Sequence, residues 1–186
     1  LVASGNFGNG CGSGFSTFVV SPAKGNNILA IGNDTDVDTV RAIAARHGVH
    51  VAPAWSAGKV VIELLGDLVE PGLLQPTFLC DYPAEAQPLA RPRTDDPRLI
   101  EAWDLIIAGV ERGTGFSELV DPVVQRRVLT EQSLRAAGGD PEAMQLDEDF
   151  LRALEYGAPP MGGLGLGIDR LVMLFTGASI RETILF

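Results

Sequence analysis

A short segment near the C-terminal end of the chain carries glycine at every second position. Its residues run in the order Gly163-Leu164-Gly165-Leu166-Gly167-Ile168. Successive side chains of an extended strand point to opposite faces, so this alternation predicts a strand with one bare face and one apolar face. Asp169 follows where a helix N-cap is expected, and the apolar residues 171–175 predict a buried helix behind it. The segment therefore constrains the fold to a strand joined directly to a helix.

The bare face of this strand could accept a flat ring such as a purine. Arg170 falls in the first turn of the predicted helix, from which a guanidinium can reach a phosphate group. A packing explanation fits the spacing equally well, because a glycine-rich strand can lie against a neighbouring backbone while Asp169 acts as a plain cap. A dinucleotide fingerprint is disfavoured, since Ile168 or Arg170 occupies the third glycine position of G-x-G-x-x-G. The pattern by itself leaves a nucleotide site and a packing motif open.

The remaining chain contains helical and extended patterns after an irregular beginning. Residues 1–33 are rich in Gly and Asn around one weak strand at 15–20, and this segment stays unassigned; residues 34–186 are expected to form one domain. Helices are predicted at 36–47, from 56 to about 71, at 121–137 and at 147–157. Strands are predicted at 78–82, 103–109 and 115–119, with a turn at 111–114. This arrangement predicts an α+β fold in which helices flank an antiparallel sheet.

Composition and charge exclude several classes of protein. With 46% hydrophobic and 20% charged residues, 186 residues can bury one globular core. The net charge of −10 disfavours nonspecific binding to nucleic acid. No apolar stretch is long enough for a membrane span, so we expect a cytoplasmic protein without a membrane partner. Cys11 and Cys80 lie far apart without a nearby Cys or His cluster, and we expect neither a disulfide nor a zinc site.

The C-terminal segment, with its alternating glycines, Asp169-Arg170 and the final residues 179–186, resembles the third signature motif of class II aminoacyl-tRNA synthetases. It is most similar to the lysine enzyme of the actinobacterial type. Further similar blocks occur in the expected order at 75–78, 81–85, 115–119 and 147–157. Because independent blocks agree, the resemblance is far more specific than a lone glycine motif. It covers about residues 36–186 and implies the C-terminal part of a class II catalytic domain.

The resemblance implies ATP-dependent activation of lysine to lysyl-adenylate and its transfer to tRNA. The implied ATP-binding residues are Gly163, Gly165, Gly167, Asp169 and Arg170, and Arg170 is also the implied catalytic residue. Two acidic residues, Asp104 and Glu111, correspond to carboxylates that hold Mg²⁺ in the family, and oxygen ligands suit that ion. Without the resemblance, either carboxylate would be interpreted as a solvated charge at a strand end.

The lysine site of the family falls on Thr114, Phe116 and Glu118. Phe116 and Glu118 would share a face of a strand, because residues two positions apart do so. An aromatic wall beside a carboxylate suits lysine, whose aliphatic stem packs while its ammonium needs a counter-charge. The alternative is an edge-strand glutamate with Phe116 in the core.

The sequence also departs from the family. Asp104 is shorter than the usual glutamate, Thr114 replaces a common asparagine, and Val110 and Arg112 replace the usual neighbours of Glu111. The first and second signature motifs have no counterpart here, so the arginine that clamps the α-phosphate is missing and we expect the isolated chain to be inactive. A homodimer and tRNA binding are expected only of a full-length protein, with lysine and ATP as the direct ligands. Two alternatives are a lysine ligase acting on a protein or small-molecule acceptor, and a noncatalytic synthetase-like binding domain.

Overall fold

The computed structural model describes residues 17–20, 29–32, 36–140 and 143–184. Strand β1 (Thr17–Val20) pairs antiparallel with β2 (Leu29–Gly32). The weak strand expected at 15–20 is therefore present over its second part, and it has a partner that the Gly and Asn content did not indicate. The rest of the unassigned segment lies outside the described residues, and the boundary between residues 33 and 34 stays a prediction.

Four strands form the main sheet, with every neighbouring pair antiparallel. They are β3 (Thr77–Cys80), β4 (Ala102–Ile107), β5 (Val110–Ser117) and β6 (Gly162–Leu166), in the order β3-β4-β5-β6. The predicted antiparallel sheet is confirmed. The turn expected at 111–114 is wrong, because those residues belong to β5. The hairpin turns instead at Ala108 and Gly109, whose φ angles of 55° and 71° suit a two-residue turn with both central residues left-handed.

Helices flank this sheet as expected. They are α1 (Val37–His47), α2 (Ala57–Leu68), α3 (Pro122–Ala137), α4 (Glu148–Glu155), α5 (Ile168–Thr176) and α6 (Ile180–Thr183), with 3-10 turns at Glu70–Gly72 and Ala84–Ala86. The first four helices begin after a polar N-cap whose side chain accepts a backbone N–H; the caps are Asp36, Ser56, Asp121 and Asp147.

The core lies between α1, α2 and one face of the sheet. From α1, Val40, Ile43 and Ala44 are buried, and α2 contributes Val60, Val61, Leu64 and Leu65. The sheet contributes Leu79, Ala102 and Ile106. Full burial of a side chain of this size stabilises the fold by about 1.5–3 kcal/mol, so the contact with α2 is a main source of stability.

The predictions for the C-terminal helix need correction. Gly167 is the N-cap of α5, so Asp169 lies inside the first turn and is not the cap. The expected buried helix is also wrong, since no described residue of α5 is buried and Phe175 is 83% exposed. In α4, Leu151 and Leu154 are buried as expected, but Phe150 is exposed. A run of apolar residues shows that a segment is hydrophobic, but it does not show whether another element of the fold covers that segment.

Two further observations concern the expected cellular setting. Cys80 is disulfide-bonded, contrary to the expectation from spacing. Distance along the chain says nothing about proximity in space, which is why this expectation failed. Within the described part of the chain, no helix has both the length and the apolar character required to cross a membrane.

Candidate nucleotide and amino-acid site

The register of the sheet brings most of the predicted site residues onto one face. Asp104 on β4 pairs with Thr114 on β5, which pairs in turn with Gly165 on β6. The next row contains Phe116 paired with Gly163. Residues directly opposite each other in an antiparallel sheet project to the same side. The predicted metal, lysine and nucleotide positions are therefore neighbours across three strands.

A bulge in β5 brings Glu111 onto the same face. Leu105 pairs with Gly113, whereas Ile106 pairs with Glu111, so Arg112 is an extra residue in β5. Three positions separate Glu111 from Thr114, and a regular strand would place them on opposite faces. The extra residue restores the parity and returns Glu111 to the face that carries Asp104.

The glycine face of β6 provides space for neighbouring functional side chains. A Cβ atom on Gly163 would lie 2.6 Å from Oε1 of Glu118, so the carboxylate of Glu118 lies against this bare position. A Cβ atom on Gly165 would meet Cγ2 of Thr114 at 3.7 Å. The face that lacks side chains on β6 is thus the face towards which the predicted lysine-site residues project.

Arg170 and Glu111 contact each other at one end of this surface. Nη1 of Arg170 donates to the main-chain oxygen of Glu111 at 2.9 Å and to its Oε1 at 3.2 Å. The two side chains are 46% and 42% exposed. An exposed ion pair of this kind contributes only about 0–1 kcal/mol, so a phosphate group could replace the carboxylate as the partner of Arg170 at little cost.

Glu70 and Tyr82 lie beside the predicted metal carboxylates. Burial raises the pKa of Glu70, repulsion from Asp104 and Glu111 raises it further, and Arg170 lowers it. Burial, with the nearby charge of Asp104, also raises the pKa of the Tyr82 hydroxyl. Sequence reasoning missed both residues. Glu70 begins the 3-10 turn after α2 and Tyr82 follows β3, and neither position carries a sequence pattern of its own.

Mg²⁺ is the cation implied by the family, and the carboxylates fit it. Among the described residues, no group of three or more His, Cys, Asp or Glu side chains is arranged to hold a metal ion unaided. Mg²⁺ in nucleotide sites commonly takes one or two carboxylates and completes its octahedron with water and phosphate oxygens. Asp104 and Glu111 supply that donor type on one face of the sheet.

Glu118 is held in place by its main chain. Its N–H donates to the oxygen of Met161 at 3.0 Å, and the residue forms an isolated bridge with Ala90. Phe116 is half-buried and packs against the edge of the core, so it combines the two roles that the sequence left open. Phe116 pairs with Gly163 across the strands, and the Glu118 carboxylate adjoins the same glycine.

A cavity of about 580 Å³ continues from Phe116 and Gly163 towards the loop after β3. Arg93 lies in its wall and binds Asp81 at 2.6 Å and Asp95 at 2.7 Å. Asp81 has a φ angle of 62°, an uncommon value for a residue with a side chain. Sequence reasoning missed this trio, although the similar block at 81–85 includes Asp81.

Comparison with known proteins identifies the family of the chain. Residues 30–186 match the family of class II tRNA synthetases for D, K and N. Over 167 residues the chain is 56% identical to the lysylphosphatidylglycerol biosynthesis bifunctional protein LysX of Mycolicibacterium vanbaalenii, which covers 90% of this chain and 15% of that protein. The identity to LysX of Mycobacterium tuberculosis strain H37Rv is 55% over 167 residues, covering 90% of this chain and 14% of that protein. The chain thus spans about one seventh of the length of these relatives. With a matching family over most of its length and the sheet expected of it, the chain belongs to the class II tRNA synthetases.

Proposed function

We propose that this chain forms part of a catalytic domain that activates lysine with ATP and passes the lysyl group to an acceptor. One observation carries the proposal. Three features lie on or beside one face of the sheet. They are the Arg170 guanidinium, which can reach a phosphate, the bare glycines Gly163 and Gly165, and the carboxylate of Glu118 next to the ring of Phe116. Few ligands other than an amino acid next to a nucleotide require all three.

Lysine would bind at the Glu118 end of this face. The Glu118 carboxylate provides the counter-charge for the lysine ammonium, and Phe116 packs along its aliphatic stem. Thr114 lies one row further towards the nucleotide, and its hydroxyl would form a hydrogen bond with the substrate. The relatives support lysine as the amino acid, since their name refers to a lysyl product.

ATP would lie along the bare glycines of β6. Arg170 would bind the phosphate tail, and Asp169 lies beside it in the first turn of α5. Asp104 and Glu111 would hold Mg²⁺, which neutralises phosphate charge and assists the departure of pyrophosphate when bound.

The chemical step is a displacement at phosphorus. A carboxylate oxygen of lysine forms a bond to the α-phosphorus, and the bond from that phosphorus to the oxygen of the leaving pyrophosphate breaks. The residues of this chain contribute by positioning the two reactants and by holding positive charge at the phosphate tail. Clamping of the α-phosphate is not assigned to any described residue.

The acceptor has two candidates. The family favours tRNA, although the net charge of −10 makes this chain itself a poor surface for a polyanion. The name of the relatives refers to lysylphosphatidylglycerol and favours a second candidate, an acceptor other than tRNA. Both routes begin with the same activated lysine.

Binding and exchange assays test the proposal on the 186-residue chain. We expect calorimetry to detect binding of ATP with Mg²⁺ and of lysine. Glu118→Gln should weaken lysine binding about tenfold, since it removes a charge-assisted contact worth about 1.4 kcal/mol or more, and should leave ATP binding unchanged. Glu131→Gln, on the exposed surface of α3, is the matched control.

The exchange of pyrophosphate into ATP then reports on activation. Lysine-dependent exchange would establish that the chain completes the step. Binding of both ligands without exchange would support the site and assign the missing α-phosphate clamp to another part of the protein. Absence of lysine binding would contradict the proposed function.

A further inference from the structure

Arg112 is a buried cation at the β5 bulge, next to the proposed ATP site. Only 5% of its surface is exposed. A bulge re-aims the side chain of its extra residue, and here that residue is Arg112. Burying a guanidinium is unfavourable unless hydrogen bonds replace its water, so a residue of this kind calls for an account of what it binds.

The guanidinium binds main-chain oxygens on two sides. Nη1 of Arg112 donates to the carbonyl oxygen of Arg170 at 2.6 Å, and Nε donates to the carbonyl oxygen of Ile107 at 3.3 Å. Arg112 therefore links the hairpin turn at the end of β4 to the first turn of α5. Because it is buried and engaged in this way, it is not itself placed to receive a phosphate.

The contacts between the two segments are reciprocal. Arg112 donates a hydrogen bond to the main-chain oxygen of Arg170, and Nη1 of Arg170 donates to the main-chain oxygen of Glu111 at 2.9 Å. The N–H of Gly167 also donates to the carbonyl oxygen of Arg112 at 3.0 Å. Two neighbouring residues of β5 thus bind the beginning of α5 through both main chain and side chains.

Apolar packing offers α5 little alternative support. None of its described residues is buried, although the helix follows a sheet strand directly. The position of its first turn relative to β5 therefore depends on these polar contacts. Loss of the Arg112 guanidinium would release the carbonyl of Arg170 and let this turn move.

We propose that Arg112 is a positioning residue of the nucleotide site, which fixes the main chain of Arg170 so that its guanidinium stands at the end of the bare face of β6. The inference rests on the proposed function, because it gives Arg170 a phosphate to bind. In this proposal, the bulge directs the side chain of Arg112 to the main chain of Arg170.

Hydrogen exchange and ligand binding on the 186-residue chain test this assignment. Arg112→Met removes the donors and keeps an apolar side chain of similar length, and Arg112→Lys keeps the charge with a smaller donor group. Arg127→Met is the control, since Arg127 is exposed on α3. We expect Arg112→Met to accelerate amide exchange at Gly167 and Leu171 while leaving α2 and α4 unchanged.

The binding arm separates positioning from general stability. We expect Arg112→Met to weaken ATP with Mg²⁺ about tenfold, the effect of losing one charge-assisted contact, and to leave adenosine binding unchanged. Arg112→Lys should lie between the parent and Arg112→Met. In an Arg170→Met background, Arg112→Met should have no further effect on ATP binding, because residues acting through one another are not additive.

Several results would overturn the assignment. Unchanged exchange at Gly167 and Leu171 would do so, as would equal losses of ATP and adenosine binding, or additive effects with Arg170→Met. If Arg112→Met does not fold, ATP binding by Arg112→Lys equal to that of the parent would overturn it instead. ATP binding that depends on Arg112 without any lysine binding would contradict the proposed function and leave this inference standing.

Discussion

At the scale of single residues, the bare position at Gly163 is the most specific feature of the site. A side chain there would meet the carboxylate of Glu118, which is the far end of a flexible side chain. We expect Gly163→Ala to change stability by less than about 1 kcal/mol, because Glu118 can move aside. The displaced carboxylate should weaken lysine binding about tenfold, equivalent to about 1.4 kcal/mol.

Calorimetry with lysine, together with thermal unfolding, measures both effects. Gly66→Ala in α2 is the matched control, since no atom lies within 4 Å of a Cβ at that position. It should leave lysine binding as it is and favour the helix slightly. If Gly163→Ala left the lysine affinity unchanged, the proposed contact between Glu118 and lysine would be contradicted.

Glu70 predicts a dependence of stability on pH. Its pKa is raised by burial and by repulsion from Asp104 and Glu111. A carboxyl group with a higher pKa in the folded state stabilises the fold when protonated, and this contribution disappears as the pH rises through the folded pKa. Glu70→Gln keeps a neutral group at every pH, so it should raise the unfolding temperature at neutral pH relative to the parent.

Thermal unfolding at several pH values measures this difference. The gain from Glu70→Gln should shrink towards zero below about pH 4, where the ordinary glutamate is itself largely protonated. Glu131→Gln on the exposed face of α3 serves as the control and should show no such trend. A gain that grows on acidification would have the wrong sign for the proposed environment of Glu70.

At the scale of elements, α2 contributes four residues to the core that supports the sheet. Leu64 is 0% exposed and packs within the core that also contains Leu79 and Ile106 from the sheet. Leu64→Ala should reduce the free energy of unfolding by about 2–5 kcal/mol through lost burial and a cavity. Denaturant unfolding measures this loss.

The same substitution at an exposed leucine is the control. Leu74 is 69% exposed in the segment before β3, and Leu74→Ala should cost about 0.5 kcal/mol or less. Equal losses at the two positions would mean that α2 does not form the core described above.

Elements differ in how far their sequence determines them. The N-caps Asp36 and Asp121 and the alternation through Gly163 and Gly165 are local signals, and the predicted helices and strand follow them. The bulge at Arg112 is a property of the pairing between two strands, which no single segment encodes. Asp169 fails as a cap for a related reason, because a contact from Gly167 to Arg112 starts the helix two residues earlier.

At the scale of the whole molecule, the sheet divides the chain into a stabilising part and a site. The first strands of the main sheet lie against α1 and α2, while β5 and β6 carry most of the proposed site. The sequence predicted this fold and most of the residues that share the site face, since their motif blocks carry the family resemblance. Glu70, Tyr82 and Arg93 escaped prediction because their roles arise only from tertiary proximity to Asp104 or Asp81.

The ion pair between Arg170 and Glu111 would make the proposed nucleotide binding an exchange of partners. A triphosphate that arrives alone takes Arg170 from Glu111 and leaves this carboxylate uncompensated beside Asp104 and Glu70. A divalent cation that arrives alone meets a carboxylate whose charge Arg170 already offsets. Only a ligand that brings its anion and its cation together satisfies both former partners, so the two halves of such a ligand assist each other's binding. Discrimination in favour of the metal-loaded nucleotide would then arise from this thermodynamic linkage, independently of the shape of the site.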